Sequence, residues 1–211
     1  MLSLPVSTLR LAVLGDSIAY GTGAVRVADT LGPRLVAALE AAGVRAEHRV
    51  FAVPGAVSAD LPAQVERVRA WRPQLAVIVI GANDLTRLVP PERAAATLGA
   101  AVKALRAAGA QVVLAPAPDL SIVPHVPPFL REIVRAGSAV MRSAQVRAVR
   151  AEGGLVADAD GATSAAFAAD PRLFSADRFH PSSAGYEVIA SALAPVVEDA
   201  VRRIVPQRGV G

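Results

Sequence analysis

Apolar residues recur along this chain in two rhythms that alternate from one end to the other. Short apolar segments at 9–14, 46–53, 75–80, 111–115 and 154–157 are bounded by glycine, proline or loop-forming residues. Segments of that length and boundary predict strands. The run 75–80 has no polar alternation, which predicts a central strand covered on both faces. Only Arg10 interrupts the run 9–14. Between these segments apolar positions fall at helical spacing: Leu35, Leu39 and Ala42; Leu61, Val65 and Val68; Ala95, Leu98, Val102 and Leu105. A further helix over about 129–151 is expected to turn Ile133, Val140 and Met141 inward.

The punctuation agrees with those periods. Gly32-Pro33 can start the first long helix and Gly43 end it, Ser58 or Asp60 can cap the next, and Pro90-Pro91-Glu92 opens a third that Gly109 ends. The last helix should run to about 204, with Pro195 bending or interrupting it. The stretch 116–128 holds five prolines and reads as irregular. Five strands alternating with helices predict a parallel sheet with right-handed crossovers, a three-layer α/β/α arrangement in one domain spanning 1–211. Ligands of such sheets bind beyond the carboxyl ends of the strands. Ser17, Gly55, Asn83 and the Asp177/His180 segment all follow predicted strands or the final loop, so one sheet edge is where they would meet.

Composition narrows the options. Hydrophobic residues make up 53% and aromatics 4%, which describes a core of Ala, Val and Leu. With no cysteine, disulfides and thiolate metal sites are excluded. The net charge is +4, and arginines such as Arg67, Arg69 and Arg72 spread over helical faces without interleaved aromatics. That pattern reads as a solvated surface, with no nucleic-acid partner. No run reaches the ~20 apolar residues of a membrane helix. The stretch 1–5 lacks a positive n-region and a long apolar core, so a cytoplasmic location is expected.

The candidate chemistry starts at Gly15-Asp16-Ser17, where a predicted strand delivers a serine to a loop containing Gly21 and Gly23. A serine there serves as a nucleophile only with a base, an acid to orient it and donors for an oxyanion; alone it is as readily a cap or turn residue. His180 is the best base, since neutral imidazole can accept and return a proton. His48 and His125, in an early strand and the proline-rich loop, are poorly placed. Asp177 stands three residues before His180, within reach of its ring, although Asp-x-x-His by itself also suits a solvated turn. The Asn83 amide and the Gly55 and Ser17 N–H groups are possible oxyanion donors, while turn chemistry accounts equally for Asn83 and Gly55. Asp16 and Asp84 read as loop braces.

Together, and in this order, Gly15-Asp16-Ser17, Gly55 within Val53-Pro54-Gly55-Ala56, Gly81-Ala82-Asn83-Asp84 and Asp177-Arg178-Phe179-His180-Pro181 resemble the blocks of the SGNH hydrolases, also called GDSL-type esterases and lipases. Leu173-Phe174-Ser175-Ala176 and Gly185-Tyr186 also look like that family. Just after the serine the sequence departs from it, with Ile18-Ala19-Tyr20 where more polar residues are common. The resemblance implies a flavodoxin-like sheet and a serine hydrolase acting on a small-molecule ester without metal or cofactor. Ser17 would be the nucleophile, His180 the base and Asp177 its orienting acid. The Ser17 and Gly55 amides and the Asn83 side chain would form the oxyanion hole.

The stretch after the fourth strand adds a substrate expectation. Ile122, Val123, Val126 and Phe129, held among prolines, should overhang the serine and wall a modest acyl pocket, or else simply cover the core edge. Two rival readings fit the residues less well. A metal-dependent phosphoesterase would need more histidines than the three present. A flavodoxin-like binding module would need a phosphate-cradling glycine loop, where Asp16 instead supplies a carboxylate.

Overall fold

A computed structural model describes residues 8–157 and 161–204; the reading of 1–5 lies outside them. Five parallel strands, β1 (Leu9–Gly15), β2 (Ala46–Val50), β3 (Leu75–Val79), β4 (Gln111–Ala115) and β5 (Leu155–Val156), lie in the order β2-β1-β3-β4-β5. This is the flavodoxin-like order, with its switch point between β1 and β3. There β1 pairs in register with β3 from Leu11↔Leu75 to Gly15↔Val79.

The period of two in these strands sorts the core into halves. Leu11, Val13, Leu75, Val77 and Val113 face one side, against α2 (Leu31–Ala41) and α8 (Ser183–Ile204). Ala12, Leu14, Ala76, Ile78, Val112 and Leu114 face the other, against α3 (Leu61–Arg69), α5 (Pro91–Ala107) and α6 (Arg131–Ala151). Burial on both faces is why 75–80 carries no polar alternation. Three short helices, α1 (Ser17–Tyr20), α4 (Ala82–Thr86) and α7 (Ala162–Ala169), lie around the carboxyl edge. No helix of the described residues is long and apolar enough to cross a membrane.

Several sequence expectations are corrected. Thr30 caps α2, with Gly32-Pro33 inside its first turn, and Ala42 is the exposed C-cap. Pro195 sits on the solvent side of α8, which continues through it because Leu193, Val197 and Ala200 stay packed in the core. In α6 Met141 faces inward as expected, but Ile133 and Val140 do not. Ile133 and Val140 are 71% and 56% exposed, and the buried set is Ser138, Met141, Ala144, Gln145 and Val149. The cause is hydrogen bonding. Ser138 Oγ accepts the Leu120 N–H at 3.2 Å, and Gln145 joins the Ala117 N–H (2.8 Å) to the Ile80 carbonyl (3.0 Å). Backbone groups leaving β3 and β4 need polar partners, so polar residues take the inward positions.

Candidate active site

Ser17 is presented by the collision of two strand ends. At Gly15, φ is +131°, and a Cβ would lie 1.8 Å from the Val79 carbonyl oxygen, so only glycine fits. The buried Gln64 amide holds that turn from beneath, accepting the Gly15 N–H and donating to the Gly15 carbonyl, both at 2.8 Å. Asp16 then caps α1 by accepting the Ile18 N–H at 2.9 Å, which leaves Ser17 as the first helical residue, 7% exposed.

The candidate base, His180, arrives on a tight loop between α7 and α8. Phe174 bridges Pro181, the Ser175 N–H donates to the His180 carbonyl at 2.7 Å, and the Arg178 N–H donates to the Ser175 carbonyl at 2.9 Å. Arg178 lies in the left-handed region at φ +58°, a conformation a non-glycine residue holds only when its surroundings enforce it. His180 Nε2 lies 3.0 Å from Ser17 Oγ, and His180 Nδ1 lies 2.6 Å from Asp177 Oδ2. A carboxylate only accepts, so in the neutral ring Nδ1 carries the proton and Nε2 is left to accept from the serine hydroxyl. Asp177 Oδ1 accepts from the Phe179 and His180 N–H groups at 2.9 Å each and from the Ser175 hydroxyl at 2.8 Å. Partial burial disfavours the Asp177 carboxylate, but the His180 ring and these three donors outweigh it and hold its pKa well below the usual range.

The oxyanion candidates come from the strands flanking β1. Beyond β2 the chain keeps pairing, with the Phe51 N–H on the Val13 carbonyl (2.8 Å) and the Val53 N–H on the Gly15 carbonyl (3.0 Å), two residues before Gly55. At Gly55 φ is +81°, and among the described residues no acceptor takes its N–H. Asn83, in the first turn of α4, donates one amide hydrogen to the Ala56 carbonyl at 3.0 Å, which fixes its plane and leaves the second available. Arg87 donates to the Gly55 carbonyl at 2.9 Å and fastens the same turn to α4.

Asp16 and Asp84 act as braces. Asp84 accepts the Ser58 N–H and hydroxyl at 3.0 and 3.1 Å. Asp16 is 1% exposed and, among the described residues, nothing hydrogen-bonds its Oδ2; burial, assisted by the nearby Asp84 carboxylate, pushes its pKa up to about 7. Among the described residues no three His, Asp or Glu side chains gather where they could hold a metal ion.

An apolar cavity of about 70 Å³ opens beside the pair, lined by Ile18, Ile122, Val123, Phe167, Phe174 and Phe179. A shallower groove of about 430 Å³ lies across the Val123/Phe179 partition, with Val126 and Leu130 on its wall. Of the four expected wall residues, Ile122 and Val123 line the cavity and Val126 only the groove. Phe129 is 80% exposed and lines neither, because it falls in the 3₁₀ turn Pro128–Leu130 ahead of α6, where it points to solvent. Phe167, Phe174 and Phe179 also line the cavity, and no local pattern marks them as wall residues because they come from elements far along the chain. His125 does not meet Ser17, but its Nε2 lies 2.8 Å from the Asp177 carbonyl oxygen. Gln64 carries no signal in the sequence, and Ser175 carries one only as part of the resembling stretch Leu173-Phe174-Ser175-Ala176. Tyr186, whose resemblance was noted, is fully buried and donates to the Thr22 carbonyl at 2.9 Å, holding the loop after Ser17.

Comparison with known proteins points the same way. Residues 13–188 match the GDSL-like lipase/acylhydrolase family. The GDSL-like esterase Rv1075c of Mycobacterium tuberculosis is 35% identical over 197 residues, which cover 92% of this chain and 63% of that relative; the chain therefore spans less than two thirds of its length. In fold, the chain is similar to the crystal structure of TesA, with a TM-score of 0.73, 20% identity, and 93% and 99% of the two chains covered. It is also similar to an acetylxylan esterase, Axe2, of Geobacillus stearothermophilus, with a TM-score of 0.70, 22% identity, and 96% and 98% covered.

Proposed function

The chain belongs to the GDSL-like lipase/acylhydrolase family, and on that premise we propose that it hydrolyses carboxylic esters of short-to-medium acyl chains through an acyl-enzyme. The observation that carries this reading is the unbroken line from Ser17 Oγ to His180 (3.0 Å) to Asp177 (2.6 Å). In the first step Ser17 Oγ bonds to the ester carbonyl carbon while its proton passes to His180 Nε2. The resulting imidazolium sits against the ionised Asp177, and the oxyanion accepts from the Ser17 and Gly55 N–H groups and the free Asn83 amide hydrogen. As the tetrahedral intermediate collapses, the C–O bond to the alcohol breaks and Nε2 returns the proton to the departing oxygen. Water then repeats the sequence on the acyl-enzyme, with His180 again as base, and releases the acid and Ser17.

The chain-length part of the proposal rests on the 70 Å³ cavity beside Ile18 and Phe179, which has room for a few carbon atoms. Substrate is a small-molecule ester with an apolar acyl group. The test is a chromogenic acyl-ester assay combined with an organophosphonate label. Wild type should turn over the ester and be labelled at Ser17, and Ser17→Ala should lose both while unfolding at the same temperature. Chelation should not change the rate. Retained turnover in Ser17→Ala, or loss on chelation restored by a divalent metal, would overturn the proposal.

A further inference from the structure

The loop 116–130 and the catalytic turn 174–181 meet along an apolar seam of Leu120, Val123, Val126, Phe174 and Phe179. Apolar contact is non-directional and resists sliding poorly. Across that seam the structure has one directional link. His125 Nε2 lies 2.8 Å from the Asp177 carbonyl oxygen, and among the described residues no other hydrogen bond joins the two segments. The carbonyl can only accept, so the His125 Nε2 carries the proton.

The peptide that receives this bond is a particular one. It joins Asp177, which orients the base, to Arg178 at φ +58°, where a rotation of the peptide plane would relieve backbone strain. Its N–H is held by the Ser175 carbonyl at 2.9 Å and its C=O by His125, so the plane is pinned at both ends. On the loop side, His125 follows Pro124 and precedes Val126 and Pro127, and Ile122 and Val123 of the same loop wall the cavity beside Ser17. The Val126 N–H donates back to the Val123 carbonyl at 2.9 Å, so a shift at 125 is carried to the wall.

We infer that His125 is a positioning residue, a tie from the Asp177 carbonyl that sets the distance between the cavity wall and the catalytic turn and thereby the acyl group the site prefers. This rests on the esterase reading above. The test uses His125→Ala and His125→Gln in the full chain, because the Gln amide nitrogen falls where His Nε2 stands. Steady-state kinetics on p-nitrophenyl acetate and butyrate, with backbone hydrogen exchange over 118–128 and 177–180, give two readouts. In His125→Ala the butyrate-to-acetate ratio of kcat/KM should fall roughly 3- to 10-fold, mainly through a higher KM for butyrate. Exchange in both segments should rise together, and His125→Gln should restore both readouts. An unchanged ratio with unchanged exchange, or a Gln variant that behaves as the Ala variant, would overturn the tie. If wild type turned over neither ester and Ser17 took no phosphonate, the esterase reading would have failed, and the exchange data would still decide the tie.

Discussion

Asp16 is the residue whose chemistry differs most from its neighbours. It caps α1 with one oxygen, buries the other with no hydrogen-bond partner among the described residues and lies near Asp84, so the charged form is disfavoured in the fold. A carboxyl whose folded pKa lies near 7, against 3.8 when unfolded, binds more protons folded than unfolded between those values. Its contribution to stability is therefore complete below about pH 4 and is lost as the pH rises through 7. Asn keeps the cap acceptor without the charge. Urea unfolding at pH 5 and pH 8 should show Asp16→Asn gaining on wild type by on the order of 2–3 kcal/mol over that interval. A difference between the two proteins that stays constant with pH would place the titration elsewhere. Asp177 behaves in the opposite sense, since His180, Ser175 and two backbone N–H groups keep it ionised through the weakly acidic range.

At the scale of elements, the site edge is stitched by two buried amides. Gln64 of α3 holds both backbone groups of Gly15, and Gln145 of α6 joins Ile80 to Ala117. Each serves backbone groups at the carboxyl edge, Gln64 sharing the Gly15 carbonyl with the Val53 N–H. Gln145→Leu would leave a buried N–H and a buried C=O unpaired, each worth about 1–3 kcal/mol, so thermal unfolding should show a loss of about 2–6 kcal/mol. A loss under about 1 kcal/mol would mean that those groups find other partners. The same substitution makes α6 more apolar on its inward face, so hydrophobicity alone predicts the reverse sign.

For the molecule as a whole, the 116–130 loop, α7 and the 174–181 turn together line the cavity, and the proposed acyl site takes its size from it. Each methylene buried contributes about 0.8 kcal/mol. Across a p-nitrophenyl ester series, kcat/KM should rise from acetate to butyrate or hexanoate and then fall as the chain outgrows the space. Ile122→Ala should flatten the rise, whereas Phe129→Ala, whose ring stands in solvent, should reproduce the wild-type profile. Faster hydrolysis of palmitate than of butyrate would contradict the cavity as the acyl site.

Strands 75–80 and 111–115, the helical spacing of Leu61, Val65 and Val68, and the glycines that end β1 and β3 were legible in sequence, because short-range sterics and burial period act within a few residues. So were Ser17, Asp177 and His180 as candidates, each set in recognisable turn chemistry. The sequence by itself thus determined the layers, the strand ends and the residue types delivered to one edge. Tertiary structure decided what a local window cannot contain. It put Ser17 and His180, 163 positions apart, 3.0 Å from each other. It turned Gln145 inward and Ile133 outward, because backbone groups of other elements needed a partner there. It brought His125 to the Asp177 carbonyl across 52 positions and left Phe129 in solvent. Hydrogen-bond satisfaction and the packing of distant segments are properties of the assembled chain, and they set the facing of individual side chains within elements whose existence was already settled locally.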